Sequence, residues 1–178
     1  MFAKFTAGSF GKYEGALSGT KTAGIYSITG NTNFISTDGF RRNNALSQRN
    51  GSIEFKGVTE NLSYHLNVLA HNQFLELPGT RSVVTLRSDP RGTGTPTQFN
   101  QRNGYKTFYG LNYSPINDHE VVIDGSYNFD KSQANMGEFS DTEIYNYQIS
   151  PRYLFKYKIN QIDLDNIIGL DLIYANYY

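Results

Sequence analysis

Between Asp141 and Ile159 the chain alternates so regularly that few folds can accommodate it. Tyr145, Tyr147, Ile149, Tyr153, Phe155, Tyr157 and Ile159 occupy one parity, broken only at Pro151. Asn146, Gln148, Ser150, Arg152, Lys156 and Lys158 occupy the other, with Leu154 the exception. A helix would scatter both sets around its circumference, whereas an extended strand separates them onto opposite faces.

The pattern recurs along the chain. Ile162, Leu164, Ile168, Leu170, Leu172 and Tyr174 oppose Asp163, Asp165, Gly169 and Asp171. Val121, Ile123, Tyr127 and Phe129 oppose Asp124, Ser126, Asn128 and Asp130. Tyr105, Tyr109, Leu111 and Tyr113 oppose Lys106, Asn112 and Ser114, with Phe108 on the polar side. Leu62, Tyr64, Leu66, Val68 and Ala70 oppose Ser63, His65, Asn67 and His71. Tyr26, Ile28 and Phe34 oppose Ser27, Thr29, Asn31 and Asn33. No segment carries helical spacing with caps.

The connections alternate as well. Short polar turns are expected near residues 20–22, 59–61, 115–118 and 160–161. Longer Gly-, Asn-, Ser- and Arg-rich links are expected over 38–49, 77–103 and 131–140. Short turns on one edge and long loops on the other match the periplasmic turns and extracellular loops of outer-membrane barrels. A soluble sandwich also alternates, but its strands run ~5–6 residues and its inner faces favour Val, Ile and Leu. Here the alternation is longer and the apolar parity is rich in Tyr, whose ring suits a membrane interface while its hydroxyl stays wet. The expected fold is all-β: an antiparallel transmembrane β-barrel segment of about nine strands, forming an open curved meander sheet.

Composition narrows the function classes. A formal net charge of +0 argues against a nucleic-acid partner, which calls for a basic excess. Cysteine is absent, which removes disulfides and thiolate metal sites. No apolar run approaches the ~20 residues of a membrane-spanning helix, but alternating strands escape that criterion. Aromatic residues reach 15%, made up of 14 Tyr and 12 Phe with no Trp.

Residues 1–19 read either as one strand, giving about eight in all, or as two turning at Gly8-Ser9-Phe10-Gly11. Since short turns share one edge and barrel termini normally lie there, the split is expected, placing Met1 on the short-turn side and Tyr178 on the long-loop side. An odd strand count, no signal peptide and an end in mid-pattern give the expectation of a single incomplete domain, 1–178, cut from a larger barrel.

Three segments carry a resemblance. Thr37-Asp38-Gly39-Phe40-Arg41-Arg42-Asn43-Asn44 resembles the loop after the third barrel strand of TonB-dependent receptors. Leu77-Pro78-Gly79, after a long strand ending Asn72-Gln73-Phe74 and followed by Pro90-Arg91, resembles their "LPG" segment. Phe5-Thr-Ala-Gly-Ser-Phe-Gly-Lys-Tyr is similar to their first barrel hairpin, just after the plug domain. The resemblance implies a bacterial outer-membrane receptor importing a scarce nutrient, such as a ferric siderophore, haem, a corrinoid or an oligosaccharide. Such receptors have about 22 strands around a plugged lumen. Outer-membrane lipid and lipopolysaccharide are then partners, and an energy-coupling protein acts only through a plug outside this segment. The alternative is a small complete barrel with a structural or adhesive role.

Candidate sites are weighed against plainer roles. Arg81, Arg87, Arg91 and Arg102 fall in the longest expected loop, and Arg41 and Arg42 in another. Arginines there suit an anionic chelate or lipopolysaccharide phosphate, as well as simple solvation. Of these, Arg41, Arg42, Arg81, Arg91 and Arg102 are the candidate ligand-binding set. His65 and His71 lie ~20 Å apart along one strand, too far to share a metal ion. Asp163 and Asp165, ~7 Å apart on one face, are expected to pair with Arg152 or Lys156 across strands rather than to catalyse. Ser63 and His65 lack an orienting carboxylate for hydrolysis. No cofactor, metal or enzymatic activity is expected.

Overall fold

In the computed structural model, residues 1–160 and 162–178 are described. The strands are β1 (Phe2–Gly8), β2 (Lys12–Ala23), β3 (Tyr26–Thr37), β4 (Leu46–Val58) and β5 (Leu62–Glu76). One helix, α1 (Val83–Ser88), precedes β6 (Phe99–Ile116), β7 (His119–Asn135), β8 (Phe139–Ile159), β9 (Ile162–Gly169) and β10 (Leu172–Tyr177). Among the described residues all ten strands form one antiparallel sheet in chain order, with no crossover, and the sheet is not closed.

Ten strands fill nine lanes. β9 pairs with the Arg152–Ile159 half of β8 and β10 with the Ile144–Ile149 half, in one continuous register. Pro151 explains the split. Its carbonyl accepts from the Leu170 amide at 3.1 Å, but proline has no N–H to return the second bond of that pair. The expected division near Gly8 is also observed, with Phe10 and Gly11 both at positive φ in the turn. Met1 and Tyr178 lie towards opposite rims, since β1 leads up to that turn and Tyr178 pairs with Glu143 near the loop-side end of β8.

Directly opposed residues share a face, so the register defines both surfaces. Ile28, Phe55, Leu66, Tyr109, Gly125, Ile149 and Leu172 form one row across seven strands. On the other face, Asn31, Ser52, Leu69, Lys106, Asn128, Asn146 and Ala175 form another. Among the described residues no hydrophobic side chain is buried, while polar Asp130 and Ser150 are only 4% and 2% exposed. Aromatic rings fill the apolar face by lying over glycines on the next strand. Tyr64 covers Gly57 and Tyr109 covers Gly125, where any Cβ would collide with the ring.

The turns on one rim step progressively along the sheet. Starting from the row Tyr26–Gly57–Tyr64–Leu111–Ile123–Pro151, β2 and β3 turn at once. β4 and β5 continue to Val58–Ser63, β6 and β7 to Ile116–His119, and β8 and β9 to Ile159–Ile162.

Several connections differ from the sequence expectation. The first short turn is at 24–25, beyond the Thr-rich 20–22, because Gly24 accepts positive φ there. The fourth includes residue 161, which lies outside the described residues. The link expected over 131–140 shrinks to 136–138, since β7 and β8 stay paired up to Asn135–Phe139. There both parities turn polar and periodicity disappears. The ladder is kept by cross-strand pairs, Lys131 to Glu143 at 2.7 Å and Gln133 to Asp141 at 3.0 Å. The longest link, 77–98, contains α1, capped by the Ser82 hydroxyl accepting from the Thr85 amide at 3.2 Å. Six residues are too few to register as a helical period.

Candidate functional site

The two long connections, 38–45 and 77–98, are built into one unit on the loop rim. Thr37 Oγ1 donates to the Phe10 carbonyl at 3.0 Å and accepts from the Gly39 amide at 3.1 Å, turning the chain at the end of β3. Gly39 and Asn43 then take positive φ, 75° and 55°, which brings the Asn43 side chain against the second loop. Asn43 Nδ2 lies 2.9 Å from the Leu77 carbonyl, 2.6 Å from that of Thr95 and 2.9 Å from that of Gln98. Two hydrogens are shared among three carbonyls; that of Leu77 also accepts from Thr95 Oγ1 at 2.6 Å and that of Gln98 from the Leu77 amide at 2.9 Å, so the Asn43 amide ties an already bonded cluster together.

Arginines complete the join. Arg41 donates through Nε to the Gly92 carbonyl at 3.0 Å and through Nη2 to that of Pro78 at 3.1 Å. Arg91 reaches back from the second loop, donating through Nε to the Phe40 carbonyl at 3.0 Å. The Arg42 amide donates to the Arg91 carbonyl at 2.7 Å. The Arg42 guanidinium pairs with the Asp89 carboxylate. Arg81, whose side chain is 14% exposed, donates to the Asp89 carbonyl and lies 3.9 Å from its carboxylate. The Pro78 carbonyl also receives the Gly94 amide at 2.8 Å and Thr93 Oγ1 at 3.1 Å.

The expected arginine set therefore divides. Arg41, Arg42, Arg81 and Arg91 come together in the paired loops. Arg102 does not: it lies in β6, on the polar face, because the loop ends at residue 98 rather than 103. Its Nε and Nη2 grip the two Asp130 oxygens at 2.7 Å each, and His71 Nε2 is 3.5 Å from the same carboxylate. His65 is opposite Lys56 and Gly110, and Ser63 is opposite Val58 and Asn112. Asp165 faces Lys156 at 3.7 Å, the cross-strand pairing expected of it, whereas Asp163 faces Lys158 at 3.4 Å and Arg152 lies 3.7 Å from Asp124 instead. Among the described residues no group of three His, Cys, Asp or Glu side chains is placed to hold a metal ion.

Asn43, Thr95 and Asp89 escaped sequence reasoning. The positive-φ Asn after Arg41-Arg42 was the available signal, since Asn tolerates that conformation better than most residues. Nothing local announces that its acceptors lie up to 55 positions away.

An uncrossed antiparallel meander with one apolar face and one polar face has the construction of a β-barrel wall. A solved structure described as "Crystal structure of ferric citrate transporter FecA in the unliganded form" matches over 98% of this chain with a TM-score of 0.76. Identity is 16%, so the likeness is one of fold, and the chain spans 28% of that structure's length. That neighbour is a transporter rather than an enzyme. No family model and no curated protein matches the chain.

Proposed function

We propose that the chain is part of the barrel wall of a TonB-dependent receptor in the bacterial outer membrane, binding and importing a scarce nutrient such as a ferric siderophore. One observation carries the reading: large apolar side chains are exposed along one face of the sheet, and the buried polar side chains among the described residues, Asp130 and Ser150, lie on the other. Water penalises that arrangement and a bilayer rewards it. The apolar face meets lipid, the polar face lines the lumen, and the turn and loop rims face the periplasm and the exterior. Lys131, Glu143 and Asp141 follow Tyr105, Phe129 and Tyr145 on the same face, a position that on this reading suits contact with lipopolysaccharide headgroups. The arginine-bound loops supply the wall of the ligand vestibule, and coupling to the inner membrane runs through a plug outside residues 1–178. Kinship of fold with a ferric citrate transporter supports the transport class.

Uptake measurements test this reading. Cells deleted for the gene, and complemented cells, are compared with a panel of labelled ferric chelates, haem, corrinoids and oligosaccharides. Uptake of one class should fall on deletion and return on complementation. Equal uptake across the panel, with the protein verified in the outer membrane, overturns the reading.

A further inference from the structure

The geometry points to an oxyanion site at Arg42 and Arg81, in which the Asp89 carboxylate holds the place of an external carboxylate or phosphate. This deepens the receptor reading, on which it rests for the biological source of the anion. Residues 38–45 and 77–98 contain five arginines against two aspartates, a surplus of three positive charges in a chain of formal net charge +0. Arg41 and Arg91 spend hydrogen bonds on neutral carbonyls. Those bonds fix the side chains but leave their charge uncompensated, so both add to a positive field over the loops. The Glu76 carboxylate meets the first loop at the Ala45 amide, 3.0 Å away, while Asp89 is the carboxylate paired with the loop arginines. It pairs with Arg42 and lies 3.9 Å from Arg81, while the Arg42 and Asp89 side chains remain 67% and 41% exposed. An incoming oxyanion therefore reaches Arg42 from solvent, and Arg81 stands behind it, immobilised by the Asp89 carbonyl. Guanidinium groups match the paired oxygens of carboxylate and phosphate. Asp89 competes for the same donors, so the loops are ordered before an anion arrives and exchange one carboxylate for another when it does.

This predicts a sign that a merely structural salt bridge does not. In the full-length protein in detergent free of lipopolysaccharide, citrate and inorganic pyrophosphate serve as probes in calorimetric titrations. Asp89→Asn keeps the side-chain shape, removes the competitor and should tighten anion binding roughly two- to five-fold, the scale of one exposed ion pair. Arg42→Gln should weaken it by at least as much, and added salt should erase both differences. A parallel arm with lipopolysaccharide-containing vesicles distinguishes a membrane phosphate from a free anion as the source. Hydrogen exchange over 77–98 is the control for loop order. If Asp89→Asn loosens the loop, Arg42→Gln decides alone. Affinity unchanged in Arg42→Gln, or unchanged or weakened in a well-ordered Asp89→Asn protein, overturns the site. Nutrient uptake is scored separately. Opposite shifts without uptake would leave the anion site standing and remove the receptor reading, and uptake without those shifts would do the reverse.

Discussion

Arg102 and Asp130 meet fork to fork across β6 and β7, with Nε and Nη2 each 2.7 Å from a different carboxylate oxygen. Asp130 is 4% exposed, so its charge depends on that guanidinium and on His71 at 3.5 Å. Removing one partner of such a pair strands the other. Arg102→Ala should cost about 1–3 kcal/mol, given that its own side chain is 54% exposed. Arg42→Ala, which breaks an exposed pair, should cost at most about 1 kcal/mol. Urea titrations of the full-length protein in lipid vesicles check the order, and equal costs would show that the buried carboxylate needs no partner.

Adjacent residues on β8 report which face meets lipid. Ile149 lies in the apolar row between Gly125 and Leu172, whereas Gln148 is on the polar face opposite Ser126. Ile149→Arg should destabilise by about 2–4 kcal/mol near the bilayer midplane, and Gln148→Arg by much less. Folding into vesicles measures both. The reverse order would exchange the lumenal and lipid assignments.

Asn43 should act as a keystone of the paired loops. Asn43→Ala removes the amide from three carbonyls and should accelerate hydrogen exchange across 94–98 by the equivalent of about 1–3 kcal/mol. Asn43→Gly permits the same positive φ without the amide, so it separates the lost hydrogen bonds from backbone strain. Protection retained in the glycine variant would assign the effect to strain.

Gly125 sits beneath the Tyr109 ring. Gly125→Val should displace that ring and cost about 1–3 kcal/mol through overpacking, although valine has the better strand propensity. A neutral or stabilising result in vesicle unfolding would mean that the ring swings aside freely.

Residues 1–178 expressed alone should not give a heat-resistant monomer in detergent. Outer edges at β1 and at β9 with β10 leave backbone groups unpaired, which a bilayer-spanning sheet does not tolerate. Heat-modifiable gel mobility is the readout, and a stable closed monomer would favour the small-barrel alternative.

Wherever one parity was apolar, strand and face were legible from sequence, as in Tyr145–Ile159 or Val121–Phe129. The signal failed where its cause stopped. Beyond Tyr105, Phe129 and Tyr145 both faces are polar, so residues 131–135 looked like loop although their backbone ladder continues. Arg102 was misplaced for the same reason, lying only four residues into β6. Within the loops, composition announced positive charge but not its partners. Arg41 and Gly92 are separated by 51 positions, a distance that no local pattern encodes.

The stepped turns carry a geometrical consequence. From β3 to β9 the apolar surface shifts along the chain relative to the hydrogen-bonded rungs. It ends at Tyr26 on β3 but continues to Ile162 on β9, while at the opposite end the rung holding Phe34 holds Lys131 and Glu143 further along. A flat slab of lipid can match such a surface only if the strands lean away from the membrane normal, which is the shear that lets a sheet roll into a cylinder. In the proposed membrane setting the same lean would lift the upper ends of β7 and β8 clear of the lipid, with β2 and β3 finishing close to its surface. In the proposed barrel the mouth would thus be lopsided along this stretch of wall, with a low sill at β2 and β3 and a tall parapet at β7 and β8.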